Sequence, residues 1–122
     1  MKLHGVINAS HDSLADFSIA LTIEETMSRA KELIQKGCVG IDIGAAGSTQ
    51  FADRVDTDEE WSRLEGKIEA LSSLEIELSI DTWNPEIMNR ALDAGANFMN
   101  ASDGLQNPLM VDLAAERQVP VV

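Results

Sequence analysis

The sequence predicts an α/β fold on a parallel sheet, and three observations predict it. Strand-like apolar runs alternate with helix-period segments in the order βαβαβαβαβ, which implies parallel strands joined by right-handed crossovers. Each of the first four runs ends near a polar residue: Asn8, Asp42, Asp81 and Asn100. The two faces of the runs also differ. Asp42 shares a face with Gly40 and Asp81 with Ser79, while Ile41, Ile43, Leu78 and Ile80 occupy the opposite faces, as strand alternation requires.

The elements follow in order. Residues 3–8 form the first strand. Thr22-Ile23-Glu24-Glu25 is a capping box that opens a helix. Ile23, Met27, Ala30, Leu33 and Ile34 recur at helical spacing, and Gly37 is its C′ residue. Residues 39–44 form the second strand, with Cys38 expected as a small buried hydrophobe at its start. Residues 53–60 are an acidic stretch, read as a solvated loop and first helical turn. Thr57-Asp58-Glu59-Glu60 is a second capping box, and its helix carries Trp61, Leu64, Ile68 and Leu71. Residues 78–82 form the third strand. Asn84-Pro85 supplies an N-cap and a proline at the first helical position, ahead of Ile87, Met88, Ala91 and Leu92, and Gly95 ends that helix. Residues 97–100 form the fourth strand. Asn107-Pro108 repeats the start signal before Leu109, Val111, Leu113 and Ala114, and residues 119–122 begin a fifth strand.

Composition narrows the function. A chain of 122 residues is one domain, residues 1–122. A net charge of −12 argues against nucleic acid and against anionic membrane surfaces. The lone Cys38 forms no internal disulfide, and His4 and His11 make no zinc constellation. No apolar run reaches the roughly 18 residues of a membrane span, and the N-terminus lacks a signal-peptide core. The expected compartment is the cytoplasm. No Gly-x-Gly-x-x-Gly or Walker-type loop follows a strand, which weakens dinucleotide and nucleoside-triphosphate readings.

In parallel α/β folds ligands bind outside the carboxyl ends of the strands. Four polar residues at four such ends therefore point to one polar site. A closed (β/α)8 barrel needs about 250 residues. Four units and part of a fifth strand read as half of a barrel, as a fragment of a longer gene product, or as a small open sheet.

The motifs resemble those of the dihydropteroate synthase family of pterin-binding TIM-barrel proteins. Val6-Ile7-Asn8-Ala9-Ser10-His11-Asp12-Ser13-Leu14-Ala15-Asp16 is similar to the family's Asn-Val-Thr-Pro-Asp-Ser-Phe-Ser-Asp. Gly40-Ile41-Asp42-Ile43-Gly44 with Ser48-Thr49 resembles Asp-Ile-Gly-Gly-Glu-Ser-Thr-Arg-Pro. Ser79-Ile80-Asp81-Thr82 resembles the third signature, and Met99-Asn100 with Gly104 the fourth. The four stand in order at the ends of successive strands. The chain departs from the pattern at His11, Leu14, Gln50-Phe51 and Ala101.

The resemblance implies the N-terminal half of a (β/α)8 TIM barrel, with five parallel strands and four helices. It implies a transferase of folate biosynthesis that condenses a dihydropterin bearing a methylene diphosphate with p-aminobenzoate. It assigns the pterin to Asp81, Asn100 and Asp42, the p-aminobenzoate side to Ser48 and Thr49, and Mg²⁺ with its diphosphate to Asn8. Asp12 and Asp16 are implied as catalytic residues on a loop that folds over the site. The expected partners are a small-molecule pterin and either a second copy of the chain or a C-terminal half. Alone, the chain is expected to be inactive, because the family's cationic groups lie in that half. The alternatives are a pterin-dependent methyltransferase-type domain and a noncatalytic, self-associating half-barrel.

Overall fold

A computed structural model of the chain describes residues 1–9, 22–45, 56–101 and 104–122. Strand β1 (His4–Asn8) leads to helix α1 (Ile23–Gln35), and β2 (Gly40–Gly44) leads to α2 (Thr57–Leu64) and α3 (Lys67–Ser72). Strand β3 (Glu77–Asp81) precedes α4 (Pro85–Asp93), and β4 (Phe98–Asn100) precedes α5 (Pro108–Arg117). The strands form one sheet in the order β1-β2-β3-β4, every neighbour parallel. Sequence order and sheet order coincide, as in one arc of a βα barrel.

One face of the sheet carries Ile7, Ile41, Ile43, Leu78, Ile80 and Met99, all fully buried. These join Ala30, Leu64, Ile68, Leu71, Ile87, Met88, Ala91 and Met110 from the helices in a single core cluster. Each large aliphatic side chain buried there stabilises the fold by about 1.5–3 kcal/mol. The opposite face is the concave one. Val6 on it is 50% exposed, so the main buried apolar layer lies on the helix side.

The helix signals act as local chemistry dictates. Thr22 caps α1 by accepting from the Glu25 amide at 3.0 Å. Asn84 and Asn107 cap α4 and α5, each followed by proline. The second crossover differs from expectation in two ways. Its cap is Asp56, which accepts from the Glu59 amide at 2.8 Å, one residue before the expected Thr57. An aspartate oxygen is as good a cap as threonine, and Thr57 instead bonds the Asn84 side chain at 2.7 Å. The helix also breaks in two at Gly66, whose φ of 79° is left-handed. Lys67 then donates to the Arg63 carbonyl at 2.5 Å and satisfies the end of α2.

Two further expectations shift. Residues 119–122 contribute an isolated parallel bridge, Met99 to Val121, closed by Met99 N to Pro120 O at 2.9 Å and Val122 N to Met99 O at 2.8 Å. Cys38 is half-buried instead of buried, because it lies in the turn between α1 and β2 and not in the strand. No described helix is long and apolar enough to cross a membrane.

Candidate functional site

Strand register places the concave face in three rows. His4, Gly40 and Glu77 form the row nearest the strand N-termini. Val6, Asp42, Ser79 and Phe98 form the middle row. Asn8, Gly44, Asp81 and Asn100 form the row at the carboxyl ends. Three of the four strand-end residues singled out by sequence therefore share one row, and the fourth, Asp42, lies one row deeper.

The strand-end row is held open by a glycine. A Cβ at Gly44 would stand 3.1 Å from the Asp81 carbonyl oxygen and 3.4 Å from the Asp81 Cβ. Any larger residue would fill the space between Asn8 and Asp81. Asp81 and Asn100 are register partners on adjacent strands, so a carboxylate and an amide stand side by side. Together they present acceptors to one edge of a planar ligand.

The middle row is tied together. Ser79 donates to Asp42 Oδ1 at 2.5 Å, and Asn100 Nδ2 lies 3.3 Å from both Asp42 oxygens. Ser79 is buried at 1% exposure. Asp42, Ser79, Phe98 and Asn100 open onto a cleft of about 510 Å³ that runs down to Lys2, His4, Glu77 and Val122. At its base His4 pairs with Glu77 at 2.7 Å, and Lys2 reaches the same carboxylate at 2.8 Å. Hydrogen bonds from Lys2 and then His4 hold the Glu77 carboxyl below its ordinary range. His4 also meets the Phe98 ring edge-on, with centroids 5.9 Å apart.

Behind Asp81 stands a support that sequence reasoning missed. Thr82 donates to Glu60 Oε2 at 2.6 Å and accepts from the Asn84 amide at 3.1 Å. Glu60 is 4% exposed. It is not part of a solvated acidic stretch, because it sits on the inward face of α2, one turn from Leu64. Burial, together with the neighbouring Asp81 charge, pushes its carboxyl above the usual range, against the Thr82 bond and Arg63. Arg63 in turn donates to the Ala45 carbonyl at 2.9 Å, which ties α2 to the end of β2. The one sequence signal for Glu60 was its place at helical spacing from Leu64 and Ile68.

The remaining sequence-selected residues, Asp12, Asp16, Ser48 and Thr49, lie outside the described residues. Among the described residues no cluster of three His, Cys, Asp or Glu side chains forms a protein-only metal cage. Mg²⁺ keeps waters and phosphate oxygens and needs only one or two protein oxygens. An amide at Asn8, beside the space that Gly44 keeps clear, fits an ion shared with a diphosphate.

The chain matches the family model for pterin binding enzymes over residues 4–122. It is 34% identical to the dihydropteroate synthase of Bacillus subtilis over 120 residues, covering 97% of this chain and 42% of that protein. Its fold superposes on the Xanthomonas albilineans dihydropteroate synthase solved with 4-aminobenzoic acid, with a TM-score of 0.85 and 32% identity, over 98% of this chain and 45% of that one. The Yersinia pestis dihydropteroate synthase solved in complex with a sulfonamide drug gives a TM-score of 0.90 at 28% identity, over 98% of this chain and 44% of that one. The chain thus spans less than half the length of these relatives, and its sheet corresponds to part of a barrel.

Proposed function

The chain belongs to the pterin binding enzyme family, and from that premise we propose that it forms the pterin-binding part of a dihydropteroate synthase-type transferase. The observation that carries the reading is the side-by-side placement of Asp81 and Asn100 at the carboxyl ends of adjacent strands. A pterin edge alternates ring N–H and amino donors with acceptors, so a carboxylate and an amide match it. Desolvation penalises a ring that leaves either unpaired.

In this reading Asn8 helps hold Mg²⁺ with the diphosphate leaving group. When bound, the ion neutralises charge that develops on the departing diphosphate. The protein's own share is positional. Asp81 and Asn100 fix the ring, Gly44 leaves room for the methylene diphosphate beside Asn8, and Glu60 with Thr82 keeps the end of β3 in place. The family resemblance gives Asp12 and Asp16 the catalytic role. The same resemblance gives Ser48 and Thr49 the p-aminobenzoate side. The acceptor amine attacks the methylene carbon as diphosphate leaves, a transfer in which positioning lowers the barrier. The proposed compartment is the cytoplasm.

Isothermal titration with 6-hydroxymethylpterin tests the reading. Binding that weakens by roughly ten- to hundredfold in Asp81→Ala is the expected result, because a ligand donor loses its acceptor. Equal affinity in wild type and Asp81→Ala removes Asp81 from the site.

A further inference from the structure

Asp42 is held on the concave face by two side chains, Ser79 and Asn100, yet it lies a row below the strand-end residues. It belongs to β2, and Asn100 belongs to β4, two strands away. The two side chains meet because the residue between them on β3 is Ser79, small enough to be spanned. Ser79 donates to Asp42 Oδ1 at 2.5 Å and so anchors the carboxylate from the intervening strand.

From this geometry we infer that Asp42 is a positioning residue for ligand selection: it locks the orientation of the Asn100 side-chain amide and does not itself touch the ligand. A carboxylate accepts hydrogen bonds and does not donate them. The Asn100 atom 3.3 Å from both Asp42 oxygens is therefore the NH₂ nitrogen. The amide oxygen then faces the other way, toward the strand-end mouth, because Asp42 is one row deeper. Without Asp42 the amide is free to flip, and a flipped amide would present NH₂ where the ligand needs an acceptor. Asp42 thereby sets the sense of the Asn100 contact from a distance, and Ser79 sets Asp42.

The inference rests on the pterin reading and separates from it by experiment. The affinity of the 122-residue chain for 6-hydroxymethylpterin is measured in wild type, Asp42→Ala, Asn100→Ala and the double variant, with melting temperatures alongside. The expected result is about a tenfold loss in Asp42→Ala and less than a further twofold loss when Asp42→Ala is added to Asn100→Ala. Interaction through a shared partner appears as such non-additivity. Equal losses in both backgrounds overturn the inference, since a direct contact or a general loss of structure acts regardless of Asn100. The Asn100 side-chain NH₂ resonances, identified by their absence in Asn100→Asp, give a second readout without ligand. They should shift in Asp42→Ala, and unmoved resonances overturn the clamp. Should Asp42→Ala fail to fold, Asp42→Asn keeps the volume and is expected to weaken the coupling, because it offers a donor as well as an acceptor. A wild-type chain that binds no pterin overturns the proposed function and this inference with it, whereas additive losses in a chain that binds pterin overturn the inference alone.

Discussion

Replacing Glu60 by Gln should stabilise the protein at neutral and alkaline pH and not at acidic pH. Glu60 is 4% exposed and accepts from the Thr82 hydroxyl at 2.6 Å. Burial, then the Asp81 charge, raise its carboxyl above the ordinary value. For a group whose folded pKa is raised, the contribution to stability is complete below the unfolded value of about 4.3. It is lost as pH rises through the folded value. Glutamine keeps an oxygen for Thr82 and never ionises. A buried charge with incomplete compensation costs about 1–3 kcal/mol. Arg63 offsets part of that cost, so about 1 kcal/mol is expected at pH 8, or about 4 °C in melting temperature for a chain of this size. Thermal unfolding followed by circular dichroism at pH 4.5, 6 and 8 reads the effect. A Glu60→Gln difference that stays flat across the three pH values would refute the reasoning. Glu60→Ala is the control: it leaves the Thr82 hydroxyl, itself 3% exposed, without its acceptor and should destabilise at every pH.

Asn84→Ala should lower stability by about 1–2 kcal/mol, because Asn84 caps the Glu86 and Ile87 amides and bonds Thr57; chemical denaturation measures it. Ile80→Ala, fully buried on β3, should cost about 2–5 kcal/mol in the same assay. Gly44→Val should abolish pterin binding in calorimetry, because its Cβ already meets Asp81 at 3.1–3.4 Å. Glu77 has a lowered pKa, so its contribution is present above the unfolded value and lost as pH falls through the folded one. Glu77→Gln should therefore flatten the loss of melting temperature on acidification below about pH 4.5.

The strands and their two faces were legible because alternation writes them directly. Ile41, Ile43, Leu78 and Ile80 pack on the helices, and Asp42, Ser79 and Asp81 face away. Helix starts at Thr22, Asn84 and Asn107 were legible because capping is local chemistry. The break between α2 and α3 was not, since Trp61, Leu64, Ile68 and Leu71 keep one helical period straight through Gly66. Only the left-handed glycine interrupts it, and an isolated glycine is an ambiguous sign. Glu60 and Thr82 escaped notice because their partnership spans 22 positions and two elements. Asp42 was legible as a member of the polar face. Its depth was not, because row position depends on register between strands, which periodicity within one strand does not carry.

The central claim is that a pterin docks on the strand-end row of the concave face. Nuclear magnetic resonance shift mapping of the ¹⁵N-labelled chain titrated with 6-hydroxymethylpterin tests it most directly. The account predicts the largest amide shifts at Asn8, Gly44, Asp81 and Asn100, with small ones at His4, Gly40 and Glu77. Shifts centred on His4 and Glu77 in the row nearest the strand N-termini, or spread over the helices with the strand ends unmoved, would contradict it.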